Sequence, residues 1–194
     1  MRILVYGAGV IGTTIAWQLS EAGFDVSLLV RKQRMVRYSN SGISIACTDL
    51  RPAKKTYSTT VFRPGITDQL DPGQAYDLII VTLKQSQLHD AVPYLAKYSG
   101  NAHILFMGSL WNEFDLIRKH FAKERFLFGY PGTIAGGRND SSIYTYLFKT
   151  GNTLLGEPDG RITERIKKIA EIFGESGMRP SINQNIAHWI QAQY

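Results

Sequence analysis

The 194 residues predict an α/β protein of the Rossmann type: a doubly wound, mainly parallel sheet with a β-hairpin extension. Three observations carry that prediction. Short apolar runs of strand length recur along the chain, stretches with helical spacing separate them, and a glycine-rich loop joins the first run to the first helix.

Residues 2–6 (RILVY) form an apolar run that ends at glycine, as a buried parallel strand does. From Val10 to Ala22, Ile11, Ile15, Ala16 and Leu19 share one helical face, and Gly23 is the stop signal. Val26–Val30 is a second strand, and the β-branched stretches 43–46 and 56–62 read as two more. Asp77–Leu83 is the clearest buried strand. A helix over 86–98, a strand over 103–107, a helix over 113–122 and a strand over 126–130 continue the alternation. Ser142–Phe148 and Asn152–Leu155 are then expected to pair as a hairpin across Lys149-Thr150-Gly151. A helix over 161–176 buries Ile162, Ile166, Ile169 and Phe173, and Gly177 ends it. A strand over 179–182 and a helix from about Asn185 complete the chain. The expected division is a dinucleotide-binding domain over 1–182, with 183–194 beginning a helix that leads to a second domain outside these residues.

A hydrophobic fraction of 44% with 20% charged residues describes a chain that buries a core, which excludes a linker or disordered tail. No apolar run reaches the roughly 18–20 residues of a membrane span. Cys47 is the single cysteine, so there is no internal disulfide, and the cytoplasm is the expected compartment. The four histidines (His89, His103, His120 and His188) never stand at ligand spacing, so no metal is expected. G-x-S-x-G and Walker-type loops are absent. A net charge of +6 favours anionic partners, but no aromatic-interleaved basic repeat points to nucleic acid.

Gly7-Ala8-Gly9-Val10-Ile11-Gly12 is a G-x-G-x-x-G between strand and helix. The first glycine permits the turn, the second lets backbone approach a pyrophosphate, and the third lets helix pack on strand. The helix N-terminus then offers N–H groups and partial positive charge to phosphate. No Asp or Glu occurs from Val26 to Ala46, where an acid would take the ribose hydroxyls of NAD. Arg31 and Lys32 follow the second strand instead, with Arg34 close behind, and a guanidinium complements a dianionic 2′-phosphate. The expected cofactor is NADP(H), with Arg31 the main contact. The glycine-rich stretch 129–137 reads either as a lining of the nicotinamide side or as a plain connection.

These residues resemble the ketopantoate reductase (2-dehydropantoate 2-reductase) family. The likeness rests on RILVYGAGVIG, Leu29-Val30-Arg31, the run Asn40 to Ile45 and, most specifically, the run Val81-Thr82-Leu83-Lys84-Gln85-Ser86-Gln87-Leu88-His89-Asp90-Ala91-Val92. Asn112-Glu113, Leu155-Gly156-Glu157 and Trp189 extend it over nearly the whole chain. The resemblance implies an NADPH-dependent reductase that passes hydride to a 2-keto acid, a place in pantothenate biosynthesis, and Lys84 beside the cofactor. It also implies that this chain alone, without the family's helical second domain, is inactive. Two positions depart from the pattern. Met107 stands where the family has an asparagine between cofactor and substrate, and Gln191 where it has a general-acid lysine. A thioether donates no hydrogen bond, and an amide gives no proton at neutral pH. The catalytic residue is therefore left unassigned.

Expected partners are a small 2-keto acid and, as the oligomeric option, a second copy in a homodimer; nucleic acid and membrane are not expected. The rival reading is an NADP(H)-binding module or sensor without turnover.

Overall fold

The computed structural model describes residues 1–71, 73–108, 110, 113–139 and 142–192. Two sheets organise them. The larger is built from β1 (Arg2–Tyr6), β2 (Asp25–Leu29), β5 (Gly65–Thr67), β6 (Leu78–Val81), β7 (His103–Met107), β8 (Phe126–Pro131), β11 (Thr153–Gly156) and β12 (Pro180–Ile182). Its spatial order is β12-β11-β8-β7-β6-β1-β2-β5. From β5 to β8 every neighbouring pair is parallel, and β11 joins β8 antiparallel. The order therefore reverses between β1 and β6, and that crevice is where such sheets receive ligands.

Strand alternation sends side chains to two cores, one on each face. Ile3, Val5, Ile80 and Leu105 join Ile15 and Leu19 of α1 (Val10–Glu21) and Ile169 and Phe173 of α5 (Glu164–Glu175). Leu4, Ile79, Val81 and Phe106 join Val92 of α3 (Leu88–Tyr98), Ile117 of α4 (Phe114–His120) and Ile190 of α6 (Ile186–Gln191). The doubly wound arrangement read from the sequence is thus the observed one. Ile162 departs from the expected helix face: it precedes α5 and is 51% exposed. Thr163 caps that helix, its hydroxyl accepting from the Ile166 amide at 3.3 Å.

A second sheet, ordered β4-β3-β10-β9, lies over α1. It comprises β3 (Ile43–Asp49), β4 (Thr56–Phe62), β9 (Ile134–Arg138) and β10 (Ser142–Leu147). Ile43, Ile45, Ile143 and Leu147 pack into the α1 core, and the Thr14 hydroxyl donates to the Thr145 hydroxyl at 3.0 Å. Enclosed between two sheets, α1 buries Gly12, Thr13, Thr14, Ile15, Ala16, Gln18 and Leu19, more than one face.

The expected hairpin is corrected here. Residues 142–147 do form a strand, but β10 pairs with β9 and β3, whereas β11 pairs with β8 and β12. Burial explains the parting. β10 exposes Tyr144 and Tyr146 and suits a one-sided sheet, while β11 has Thr153, Leu155 and Gly156 buried and belongs inside the larger one. The hairpin that exists has β9 as its first arm, in the glycine-rich stretch. The basic run after Arg31 winds into α2 (Lys32–Ser41), anchored by buried Tyr38.

Candidate functional site

The glycine loop leaves β1 at Tyr6, the residue in register with Leu29 of β2 and Val81 of β6. Its three glycines are set by three different constraints. Gly7 has φ +115°, and a Cβ there would lie 2.9 Å from the Thr82 hydroxyl. At Gly12 a Cβ would stand 1.9 Å from the Gly7 carbonyl, so helix and strand meet only because the side chain is absent. Gly9 is the opposite case: a Cβ would have nothing within 4 Å. Packing explains the first and third glycines. The second faces open space.

That space is a cavity of about 640 Å³. The glycine loop forms one wall, through Gly7, Ala8 and Gly9, and Leu29, Val30 and Arg31 form the floor beside it. Thr82, Leu83 and Lys84, following β6, close the other side. A second cavity of about 430 Å³ shares Thr82, Leu83 and Lys84 and continues past Ile11 to Met107, Tyr130, Pro131 and Ile134. Together they run along the carboxyl ends of the strands. A further hollow of about 680 Å³ lies at the amino ends, lined by Asp71, Asp77, His103 and Arg165 among others. Open α/β sheets take ligands at the carboxyl ends, so the paired cavities are the candidate site.

Arg31, Arg34, Lys84 and Arg138 line the larger cavity against the single carboxylate of Asp90. None of the four cations has an ion-pair partner among the described residues. The Tyr6 phenol lines the same wall, and burial, Tyr94 and Asp90 push its pKa up against the pull of Arg31, so it stays a donor at neutral pH.

The predicted residues divide cleanly. Gly7, Ala8, Gly9, Arg31 and Lys84 line the first cavity, and Ile11, Lys84 and Met107 line the second. Gly12 and Val10 act by packing: Val10 lies against β9, its Cγ1 3.0 Å from where a Cβ of Gly136 would stand. Of the two residues expected beside Arg31, Arg34 lines the first cavity, while Lys32 is exposed and lines neither; residues three apart share a helix face and Lys32 lies off it. Met107 ends β7 buried at 4% exposure. Gln191 ends α6, exposed and outside both cavities. Trp189 packs edge-on against Tyr130, ring centroids 4.9 Å apart. Glu113 is buried and accepts from the Gln85 amide at 2.8 Å, while Asn112 lies outside the described residues. The residue that sequence reading missed is Arg138. Only the glycine-rich stretch before it gave a local sign; it reaches the cavity because β9 packs on α1.

The model of the ketopantoate reductase PanE/ApbA family matches residues 3–160. The chain belongs to that family. Among its relatives, an uncharacterized oxidoreductase, YkpB, of Bacillus subtilis is 27% identical over 186 residues, 94% of this chain and 56% of that protein. The 2-dehydropantoate 2-reductase of Pyrococcus horikoshii is 26% identical, over 97% of this chain and 58% of its own. The chain thus spans less than three-fifths of these relatives' length. Solved structures share the fold. D-mandelate dehydrogenase, in its ternary structure with NADH and anilino(oxo)acetate, superposes with a TM-score of 0.78 at 20% identity, covering 98% of this chain and 59% of that one. The 2-dehydropantoate 2-reductase of Geobacter metallireducens gives 0.75 at 22%, covering 95% and 58%. No helix among the described residues is long and apolar enough to cross a membrane.

Proposed function

We propose that this chain is the nucleotide-binding part of an NADP-dependent reductase acting on a 2-keto acid, the class of substrate in the name of its 2-dehydropantoate 2-reductase relatives. The bare face of Gly9 carries the reading. It opens on a cavity with four cationic residues in its lining, and the surrounding packing does not demand a glycine there. The residues fit the group: backbone approaches a pyrophosphate at Gly9, the amino end of α1 favours its charge, and Arg31 with Arg34 complement a 2′-phosphate. When bound, NADPH supplies the hydride that reduces the ketone carbon. The chain's own residues hold and orient. Lys84, shared by both cavities, sets a positive charge between cofactor and keto acid, and Ile11, Leu83, Met107, Pro131 and Ile134 give the second cavity apolar walls beside the polar Thr82, Gln85 and Tyr130.

A second reading, nucleotide binding without turnover, is favoured by Met107 and Gln191. The first offers no hydrogen bond to a ketone oxygen and the second lies outside the cavities. Calorimetric titration with NADPH and NADH tests the cofactor. NADPH is expected to bind more tightly, and Arg31→Ala to remove that preference; preference for NADH overturns the NADP assignment. Turnover of a 2-keto-acid panel by the full-length protein separates the readings: reduction of any member excludes the sensor, and none across the panel supports it.

A further inference from the structure

Arg138 is the last residue of β9, 130 positions from Ala8 in sequence, yet its guanidinium lies on the glycine loop. The approach depends on bare backbone. At Gly136 a Cβ would stand 2.1 Å from the Tyr144 carbonyl and 3.0 Å from Val10 Cγ1, so a larger residue would clash with the backbone of β10 and crowd the first turn of α1. From that position Nη1 donates to the Ala8 carbonyl at 2.7 Å and Nη2 donates to the Tyr38 hydroxyl, while Nε reaches the Asn139 carbonyl at 3.5 Å. A guanidinium has five N–H donors, so two are left over. The recorded acceptors are neutral oxygens, and Arg138 has no carboxylate partner among the described residues. Its side chain lines the cavity on the glycine-loop side.

We propose that Arg138 binds the diphosphate of the dinucleotide, as a fixed guanidinium supplied by the second sheet; this rests on the dinucleotide reading of the cleft. Arg31 and Arg34 stand where β2 runs into α2, the place of the adenosine 2′-phosphate. Arg138 is tied to the loop that faces the pyrophosphate, which NADH and NADPH share. The two sets of arginines therefore divide the ligand: Arg31 discriminates, and Arg138 holds both forms alike. A purely architectural role, a clasp between loop and α2, would use the hydrogen bonds and not the charge.

The test is calorimetric titration of the 194-residue chain with NADPH, NADH and adenosine 2′-monophosphate at several salt concentrations, with thermal unfolding as a folding control. Arg138→Gln removes the charge and, ending where Nε lies, also gives up the Ala8 contact, so the salt dependence and the thermal control separate charge from architecture; Arg138→Lys keeps the charge. Arg138→Gln is expected to weaken NADPH and NADH by a similar factor of about tenfold, to spare the 2′-monophosphate and to flatten the salt dependence, while Arg138→Lys retains much of the affinity. Affinities within about twofold of the unaltered chain, or a loss confined to ligands carrying a 2′-phosphate, overturn the proposal. If the unaltered chain binds neither dinucleotide, the cleft reading falls and this proposal with it; binding that Arg138→Gln leaves intact removes this proposal alone.

Discussion

The Thr82 hydroxyl donates to the carbonyl of Gly7 at 2.9 Å, tying the end of β6 to the turn that leaves β1 across 75 residues of sequence. The bond bridges the crevice where the strand order reverses, so the shape of the glycine loop depends on the neighbouring strand. Thr82→Val keeps the side-chain shape and leaves the carbonyl without that partner. A loss of about 1–2 kcal/mol in denaturant unfolding is expected, together with weaker dinucleotide binding. Unchanged binding would show that the loop holds its form without Thr82.

Gly9 and Gly12 should separate binding from folding. Gly12→Ala puts a Cβ 1.9 Å from the Gly7 carbonyl and is expected to destabilise by about 1–3 kcal/mol through overpacking. Gly9→Ala meets nothing within 4 Å, so stability should stay within about 0.5 kcal/mol while NADPH binding falls. Equal thermal destabilisation by the two variants would contradict the assignment of Gly9 to the ligand.

Glu157, 3% exposed, accepts from Arg165 Nε at 2.8 Å and from the Thr163 hydroxyl, and so pins the start of α5 to the segment after β11. Arg165 also donates to the Lys123 and Phe126 carbonyls, at 3.0 and 3.1 Å. Removing one partner leaves the other charge poorly compensated. Glu157→Ala is expected to cost about 3–5 kcal/mol in denaturant unfolding, with part of that recovered when Arg165→Met is added. A small loss would mean that water or the carbonyls satisfy Arg165 unaided.

His103 gives a pH signature. Burial, with Arg165 and Arg125 nearby, holds its pKa below the ordinary 6.5, and only Glu157 and a backbone contact at Glu124 oppose them. The folded state therefore takes up this proton less readily than the unfolded chain. The contribution is fully present above pH 6.5 and is lost as the pH falls from there toward the folded value. Stability measured by denaturant from pH 7 to pH 5 should drop less steeply in His103→Gln than in the unaltered chain. Identical slopes would place the titrating group elsewhere.

The local pattern of residues determined the strands and helices of the parallel sheet, the glycine loop as a motif, and the packing role of Gly12 against Gly7, because each depends on neighbours a few positions away; the constraint on Gly7 comes from Thr82, across the crevice. The apolar run 78–81 and the alternation around it left little choice of element. Met107 and Gln191 stand out only against the family pattern that the resemblance supplies, and there the chemistry of each side chain marks the departure. Tertiary structure decided the rest. Whether 142–147 pairs with 153–156 or with 134–138 depends on which faces of each strand are covered, and that is set by α1 and the larger sheet, far away in sequence. Arg34, rather than Lys32, lines the cavity with Arg31 because the basic run winds into a helix, and only then do residues three apart share a face. Arg138 was marked only by the glycine-rich stretch before it, which did not single out the arginine. Its place beside Ala8 follows from a long-range packing of β9 on α1, a contact between glycine backbone and helix that no periodicity encodes.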